Sequence, residues 1–413
     1  MFFQSNAIEL KNCLACGSTD LALTLDLKTQ PLANSYKIKC EEVQEEFPLA
    51  INRCKKCYHV QLTHAVNPDL MFKDYLYVSG TSLTMKQHFW WFANYSSEYY
   101  KILNDGHPPV TVFDIGCNDG SQLDQFKKLG VLTYGVDPAE NLHTQSSLSH
   151  SVHLGYFDQE FVENSQQDYY NIITAQNVFA HNYDPYTFLD TAKKIMNDFS
   201  LLFIQTSQAD MIKNNEFDTI YHEHISFYNI NSMNELCKRV GLNLIDVVKC
   251  PLHGNSYIFV ISKMHSRRFN IDNHIHMERR IGLFNDQTYV DYAIKCNDVV
   301  SKLKDEITFY RRKGYKVIGY GAAAKGMTLL NYSGVTLDFI VDDNPLKQNH
   351  YTPGSSIPIV SSDEIKNVYE GNPILFVPLA WNFFTEIKNK IKTIRDYPID
   401  RFITYFPEVK IIE

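Results

Sequence analysis

The sequence predicts an α/β protein in three parts, a small four-cysteine module followed by two Rossmann-like α/β units. Three observations carry this. Two CxxC pairs, "CLAC" (Cys13, Cys16) and "CKKC" (Cys54, Cys57), recur with 37 residues between them. From Pro109 apolar strands alternate with helical stretches, as in a parallel sheet. A second strand, glycine turn and helix begin at "KVIGYGAAAKG". At 413 residues the chain suits two or three domains.

Residues 1–72 read as a zinc-binding module. The hydrophobic share of 44% and charged share of 21% describe a soluble globular chain. No apolar run approaches the roughly 18 residues that cross a bilayer. The opening "MFFQSNAIELKN" lacks the pattern of a signal peptide, so a cytoplasmic protein is expected. In a reducing compartment a disulfide framework is disfavoured. Two knuckles of paired thiolates then complete a tetrahedral zinc site through Cys13, Cys16, Cys54 and Cys57. Four protein ligands leave no open position, so the zinc is structural and is expected far from any chemistry. The net charge of -8, without a basic block, removes the electrostatic footprint of nucleic-acid binding. No membrane partner is expected, and the protein is read as a monomer or small homo-oligomer.

Residues 73–263 form the second part. "PVTVFDIGCNDGSQLDQFKKLG" is strand, turn and helix; "LTYGVDPA", "SVHLGYFD", "NIITAQNVFAH" and "SLLFIQTS" supply four further strands. "LNLIDVVKC" and "SYIFVISK" are joined by a connection short enough for an antiparallel pair. Seven strands ending this way suggest the class I sheet of S-adenosylmethionine (SAM) methyltransferases. The turn reads Asp114, Gly116, Asn118, Gly120, and Asp137 follows 17 residues after Gly120, where a ribose diol would be gripped. Asn118 at the middle glycine position argues against a pyrophosphate and suits SAM. Phe157 is placed to stack on adenine, Asp158 to accept from its amino group, and Asn177 just beyond the fourth strand.

The stretch "FDTIYHEHISFYN" (217–229) gathers two histidines, a glutamate and four aromatics. A helical zinc motif spaces its histidines four apart, and His222 and His224 are two apart. If extended, the segment turns both to one face, with Tyr221 and Glu223 on the other. Residues 264–313 are expected to be a linker and a helix, with His274 and His276 facing solvent. Residues 314–413 form the third part. There "GYGAAAKG" with Asp342, 21 residues past Gly321, looks like a dinucleotide fingerprint, which by itself favours an NAD-linked oxidoreductase.

The motifs "CLACG", "PLANSY", "CKKC", "YLYVSGTS", "DIGCNDG", "GVDPA", "NVFAH", "FDTIYHEHISFY", "PLHGNS" and "GYGAAAKG" occur in order along nearly the whole chain. In them the chain resembles the sugar C-methyltransferases of deoxysugar pathways, such as those of tetronitrose, mycarose and noviose. The resemblance implies a zinc-binding domain, a SAM-binding domain and a nucleotide-sugar-binding lobe. It also implies methyl transfer from SAM to a ring carbon, C-3, beside the 4-keto group of a nucleotide-diphosphate sugar. His224 is then the candidate base, Tyr221 and Glu223 orient or polarise, and His181 stands beside the substrate oxygens. Tyr77 closes over the ligands, and Tyr75, Ser79, His253, Asn255, Lys325 and Asp343 contact substrate. Lys325 and the glycine-turn amides meet phosphates; Asp342, Asp343 and Asn344 approach ribose or base. Asn255 and Ile258 depart from an expected glycine and arginine, Asn182 from an apolar residue, and Met327 from an asparagine. An RNA or protein methyltransferase using the zinc module for recognition is the competing enzyme class.

Overall fold

The computed structural model describes residues 5–73, 78–81, 83–165, 167–207, 210–252, 255–264, 271–368 and 372–413. In the N-terminal module β1 (Ala7–Glu9) pairs with β5 (His64–Val66), while β2 (Leu21–Pro31), β3 (Glu46–Cys54) and β4 (Val60–Leu62) make an antiparallel sheet. Each CxxC pair sits on a tight turn; the second directly follows β3 and leads into β4.

The central unit follows the helix Leu83–Leu103. Its strands are β6 (Thr111–Ile115), β7 (Leu132–Asp137), β8 (Ser151–Leu154), β9 (Ile172–Gln176) and β10 (Leu201–Ser207). A short β11 (Ser226–Phe227) intervenes before β12 (Asn243–Cys250) and β13 (Ser256–Ser262). The sheet order is β12-β13-β10-β9-β6-β7-β8. Only β13 runs against its neighbours, antiparallel to β10 and to β12. All of β6 and β10 is buried, as apolar strands covered on both faces must be. The order reverses between β6 and β9, and a ligand crevice belongs outside the carboxyl ends there.

The last unit has β14 (Lys316–Tyr320), β15 (Phe339–Val341), β16 (Ile359–Val360), β17 (Ile374–Pro378), β18 (Arg401–Thr404) and β19 (Lys410–Ile412), ordered β16-β15-β14-β17-β18-β19. Helix Ala324–Ser333 packs closely at Gly326, where a Cβ would stand 2.7 Å from that of Leu379.

The expected linker carries a helix of its own, Ile271–Arg280, ahead of the long helix Asp286–Arg312. The cause is anchoring by Ile271 and Glu278, both buried, while His274 and His276 are exposed as expected. The Glu278 carboxylate accepts from the Ile230 and Asn231 amides (2.6 and 3.1 Å) at the start of helix Ile230–Val240. An anion at a helix N-terminus is stabilised by the orphan N–H groups and the helix dipole. Burial raises the Glu278 pKa to about 7. Glu278→Ala orphans both amides and is expected to cost about 2 kcal/mol in urea denaturation; an unchanged midpoint would show that the amides find other partners.

Candidate active site

The four predicted thiols meet. The sulfurs of Cys13, Cys16, Cys54 and Cys57 lie within 4.8 Å of one another, with Cys13–Cys57 at 3.5 Å and Cys16–Cys54 at 3.6 Å. A tetrahedron with Zn–S bonds of ~2.3 Å has edges of ~3.8 Å, so the cluster fits zinc. The Cys16 and Lys56 amides each donate to a cysteine sulfur at 3.4 Å, which favours the thiolate. The module is joined directly to the segment that carries Tyr221 and His224. β11, two residues past His224, adds to the module's sheet by pairing antiparallel with β4. The Leu62 amide also donates to the Ile225 carbonyl at 2.8 Å.

The glycine turn is built from the strand ends. Gly116 has φ +71°, and a Cβ there would stand 2.4 Å from a methyl of Val178. Val178 belongs to the loop that carries Asn177 and His181, so glycine lets the cofactor turn touch that loop. Asp137 holds the turn through both oxygens, accepting from the Asn118 amide (2.8 Å) and the Ala139 amide (2.9 Å). Each carboxylate oxygen keeps a second lone pair for a ligand hydroxyl. Asp114 points inward and accepts from Gln122 (2.9 Å) and Thr174 (2.5 Å). Burial pushes it up to about 7, with Asp137 adding to the rise. The Ser79 and Gly80 amides donate to the side chains of Asn118 and Asp119, both at 2.9 Å, which lays the "SGT" segment on the turn. Gly120 (φ +81°) starts helix Ser121–Lys128. Phe157 is half-buried, edge-on to Phe188. Asp158 is exposed and caps a short helix by accepting from the Phe161 amide (3.0 Å), a task the sequence did not suggest. Asn177 has φ +55°, and its buried Oδ1 has no partner among the described residues.

The segment 217–229 is not extended. Residues 217–219 form a 3-10 turn, and the His224 amide donates to the Tyr221 carbonyl at 2.9 Å, closing a second turn. Chain reversal brings Tyr221 and His224 side by side and sends His222 elsewhere, which corrects the shared face expected for the two histidines. His222 is 1% exposed and reaches the Phe47 carbonyl of the N-terminal module at 3.3 Å. Nδ1 of His224 lies 2.9 Å from the Thr219 carbonyl, and Nε2 lies 2.9 Å from the Tyr221 hydroxyl. A carbonyl can only accept, so Nδ1 carries the hydrogen; in the neutral ring Nε2 then holds the lone pair, into which the phenol donates. His181 lies with its ring centre 5.3 Å from that of His224 and stacks on Phe72 at 5.6 Å. Burial pulls the His181 pKa down to about 4, so it is neutral near pH 7. The Ile225 amide donates to the Ala180 carbonyl at 2.8 Å, tying the two histidine-bearing segments together. Tyr75, Tyr77 and His253 lie outside the described residues.

Comparison with known proteins accounts for each part. Residues 13–72 match a putative zinc binding domain, 91–247 a methyltransferase domain, and 251–407 a C-methyltransferase C-terminal domain. C-methyltransferase NovU of Streptomyces niveus is 28% identical over 416 residues, covering 98% of this chain and 97% of NovU. The chain is a C-methyltransferase homologue. Four cysteines of the matched zinc binding domain form the structural zinc site, and the matched methyltransferase domain contains the glycine turn. Two solved structures are similar over part of the chain. The plantazolicin methyltransferase BpumL with SAH is 14% identical, with 43% of this chain and 84% of that chain covered and a TM-score of 0.36. A SAM-dependent methyltransferase from Clostridium acetobutylicum ATCC 824 is 11% identical, with 43% and 92% covered and a TM-score of 0.35.

In the C-terminal lobe of this C-methyltransferase homologue the structure redistributes the predicted ligand groups. The glycine-turn amide of Ala322 is taken by Asp342 at 2.6 Å, so that amide is not open to a phosphate. The Lys325 ammonium is buried over the Trp381 ring (5.0 Å) and faces Asp218 and Glu216, without a hydrogen-bond partner among the described residues. Asp343 binds Lys390 (2.7 Å) and Tyr320 (3.1 Å) instead, beside a cavity of about 210 Å³. Lys325 and Asp343, expected to serve one ligand, therefore have separate surroundings. Asn255 has φ +99°, a conformation glycine favours, and donates to Asp210 at 2.9 Å. Ile258 is fully buried in β13 and Met327 is core, so neither lines a ligand site. Asn182 is half-buried and accepts from the Asp184 amide at 2.7 Å. Sequence reasoning missed Asn34, which reaches Glu223, and His88, which contacts Gln176 at 2.7 Å beneath the glycine turn. "PLANSY" marked the first; an isolated histidine in a helix gave no signal for the second.

Two expectations follow. Chelating the zinc, or Cys54→Ser, should release β11 from β4, seen as faster amide exchange at 225–227; exchange confined to the zinc turns would argue against this coupling. The second concerns Asp114. Its folded pKa of about 7 stands above the ordinary 3.8. Between those values the unfolded chain has lost a proton that the folded chain keeps, so stability falls as pH rises from about 4 to 7. Asp114→Asn should flatten that part of the thermal-stability profile.

Proposed function

We propose that the chain methylates carbon 3 of a nucleotide-linked 4-keto-deoxysugar, with SAM as donor. The observation that carries this reading is the Thr219–His224–Tyr221 chain, beside the loop that touches the glycine turn. A carbon acid next to a carbonyl needs a base for its proton and a donor for the enolate oxygen. Nε2 of His224 is the base. As it takes the C-3 proton, the Tyr221 hydroxyl turns from Nε2 to the 4-keto oxygen. Thr219 holds the resulting imidazolium through Nδ1–H. Neutral His181 offers an uncharged polar edge to the sugar oxygens, and Glu223 accepts from a sugar hydroxyl. When bound, SAM supplies the methyl group from its sulfonium to the enolate carbon.

Asp114, Gly116, Asn118, Gly120, Asp137, Phe157, Asp158 and Asn177 hold that cofactor, with Ser79 laid against the turn. Tyr77 and Tyr75 precede Ser79 in sequence and are assigned to closure over both ligands, and His253 and Asn255 to the sugar. Lys325, at the lobe's seam, is assigned to the phosphates of the nucleotide, and Asp343, at the cavity, to its ribose or base. The test uses dTDP-, CDP-, UDP- and GDP-4-keto-6-deoxysugars with labelled SAM. The wild type should transfer label to C-3 of one of them. His224→Asn should lose transfer by roughly 10³-fold while SAM binding is kept. It should also stop C-3 hydrogen exchange with D₂O; retained turnover in that variant would remove His224 as base.

A further inference from the structure

The Thr219 carbonyl that meets Nδ1 of His224 at 2.9 Å lies in a turn held from outside by the C-terminal lobe. Helix Ala324–Ser333 packs on the turn Phe217–Thr219, and Phe217, Asp218, Thr219 and Ile220 are all fully buried. Two hydrogen bonds cross this seam, one on each side of Thr219. Ahead of it, the Asp218 carboxylate accepts from the indole Nε1–H of Trp381 at 2.8 Å. Behind it, the Ile220 carbonyl accepts from the Thr328 hydroxyl at 3.1 Å. The Trp381 ring stands edge-on to Phe406 at 5.4 Å, and Phe406 stands edge-on to Phe217 at 5.5 Å, which braces the indole against the same turn. Within the turn the Ile220 amide donates to the Phe217 carbonyl at 3.1 Å. That amide shares one planar peptide unit with the Thr219 carbonyl, so fixing one end of the plane aims the other.

We propose that Trp381 and Thr328 are positioning residues, which hold the neighbours of Thr219 from the lobe and so keep its carbonyl aimed at Nδ1 of His224. The inference rests on the reading of His224 as the base. A neutral histidine's tautomer is set by the hydrogen bond that one ring nitrogen makes, and the other nitrogen is then the one able to take a proton. The base needs its lone pair on Nε2, the nitrogen that faces the Tyr221 hydroxyl. If the turn slackens, the carbonyl leaves Nδ1 and hydrogen moves to Nε2 in part of the molecules. Those molecules have no base at the site. Each of the two residues acts through the turn, Trp381 by way of Asp218 and Thr328 by way of Ile220.

The test reads both ring nitrogens of His224 by 15N NMR in the zinc-loaded full chain labelled with 15N-histidine; His224→Gln identifies the signals. With the ring neutral, wild-type Nδ1 should show the shift of an N–H and Nε2 that of a bare nitrogen. Thr328→Val removes the hydroxyl and keeps the shape, and Trp381→Phe removes the N–H and keeps an aromatic ring. Each should draw the two shifts together as the tautomers mix, and should lower kcat for methyl transfer by about 10²-fold with KM kept. Thr328→Ser, which keeps the hydroxyl, should restore both. Thr328→Val decides the matter if Trp381→Phe, which takes a donor from the buried Asp218 carboxylate, does not fold. Hydrogen on Nε2 in the wild type overturns the proposal. Ring shifts that stay at their wild-type values in a folded variant remove that residue from the role, whatever kcat does. A wild type that methylates none of the sugars defeats the functional reading, while the ring shifts still decide whether the lobe sets the tautomer.

Discussion

The turn that carries Tyr221 and His224 depends on a strand of two residues. Ser226 and Phe227 add an edge to the zinc module's sheet, and Ile225 before them is held on both sides. Its carbonyl accepts from Leu62 of that sheet, and its amide donates to Ala180, beside His181. A two-residue pairing contributes little by itself. It acts here because β4 follows directly from the CKKC turn, and four thiolates on one ion fix that turn. The asparagines at the start of helix Ile230–Val240 complete the joint: Asn229 donates to the Tyr58 carbonyl and Asn231 to the Cys57 carbonyl. The closed metal site therefore acts through position, holding a strand two residues from His224.

The two α/β units solve the same local problem in the same way. In each, an acid at the end of the second strand reaches back to the glycine turn after the first. Asp137 accepts from Asn118 and Ala139; Asp342 accepts from Ala322 and Asn344. Backbone N–H groups in a tight turn lack sheet partners, and a carboxylate one strand away satisfies them. This explains why the second turn has the look of a dinucleotide fingerprint. The spacing that would place a ribose acceptor also places a turn clamp.

Much of the fold was legible because the signals were periodic. All seven strands of the central sheet, its antiparallel last pair and the first strands of the C-terminal lobe follow from apolar runs and turn residues. The CxxC pairs located the cluster because ligand spacing is local. What failed was side-chain direction in irregular backbone. An extended reading of 217–229 put His222 beside His224, whereas a turn closed by the His224 amide separates them. The helix Ile271–Arg280 was hidden because its sequence is polar, and its anchors are few: Ile271, Ile275 and Glu278. The contact between Asn34 and Glu223 spans 189 positions, and no local pattern encodes it.

Beneath the first glycine turn lies a buried polar chain that the strand pattern also concealed. His88 reaches Gln176 and Gln205, Gln176 donates to Gln122, and Gln122 donates to Asp114 and Thr174. Such a chain is costly where a member lacks a partner; the carboxyl closes one end, while Nε2 of Gln205 has no partner among the described residues. Closure also sets charge. Asp114 and Asp137 sit on adjacent strands, and burial raises both, with repulsion from Asp137 lifting Asp114 further. Two carboxyls in one crevice then divide their tasks. Asp114, taken up by Gln122 and Thr174, can hold a proton without losing its place. Asp137 accepts from two backbone amides, and each of its oxygens keeps a second lone pair. The outward acid holds the turn, and the inward acid ties its strand to β9 and to helix Ser121–Lys128.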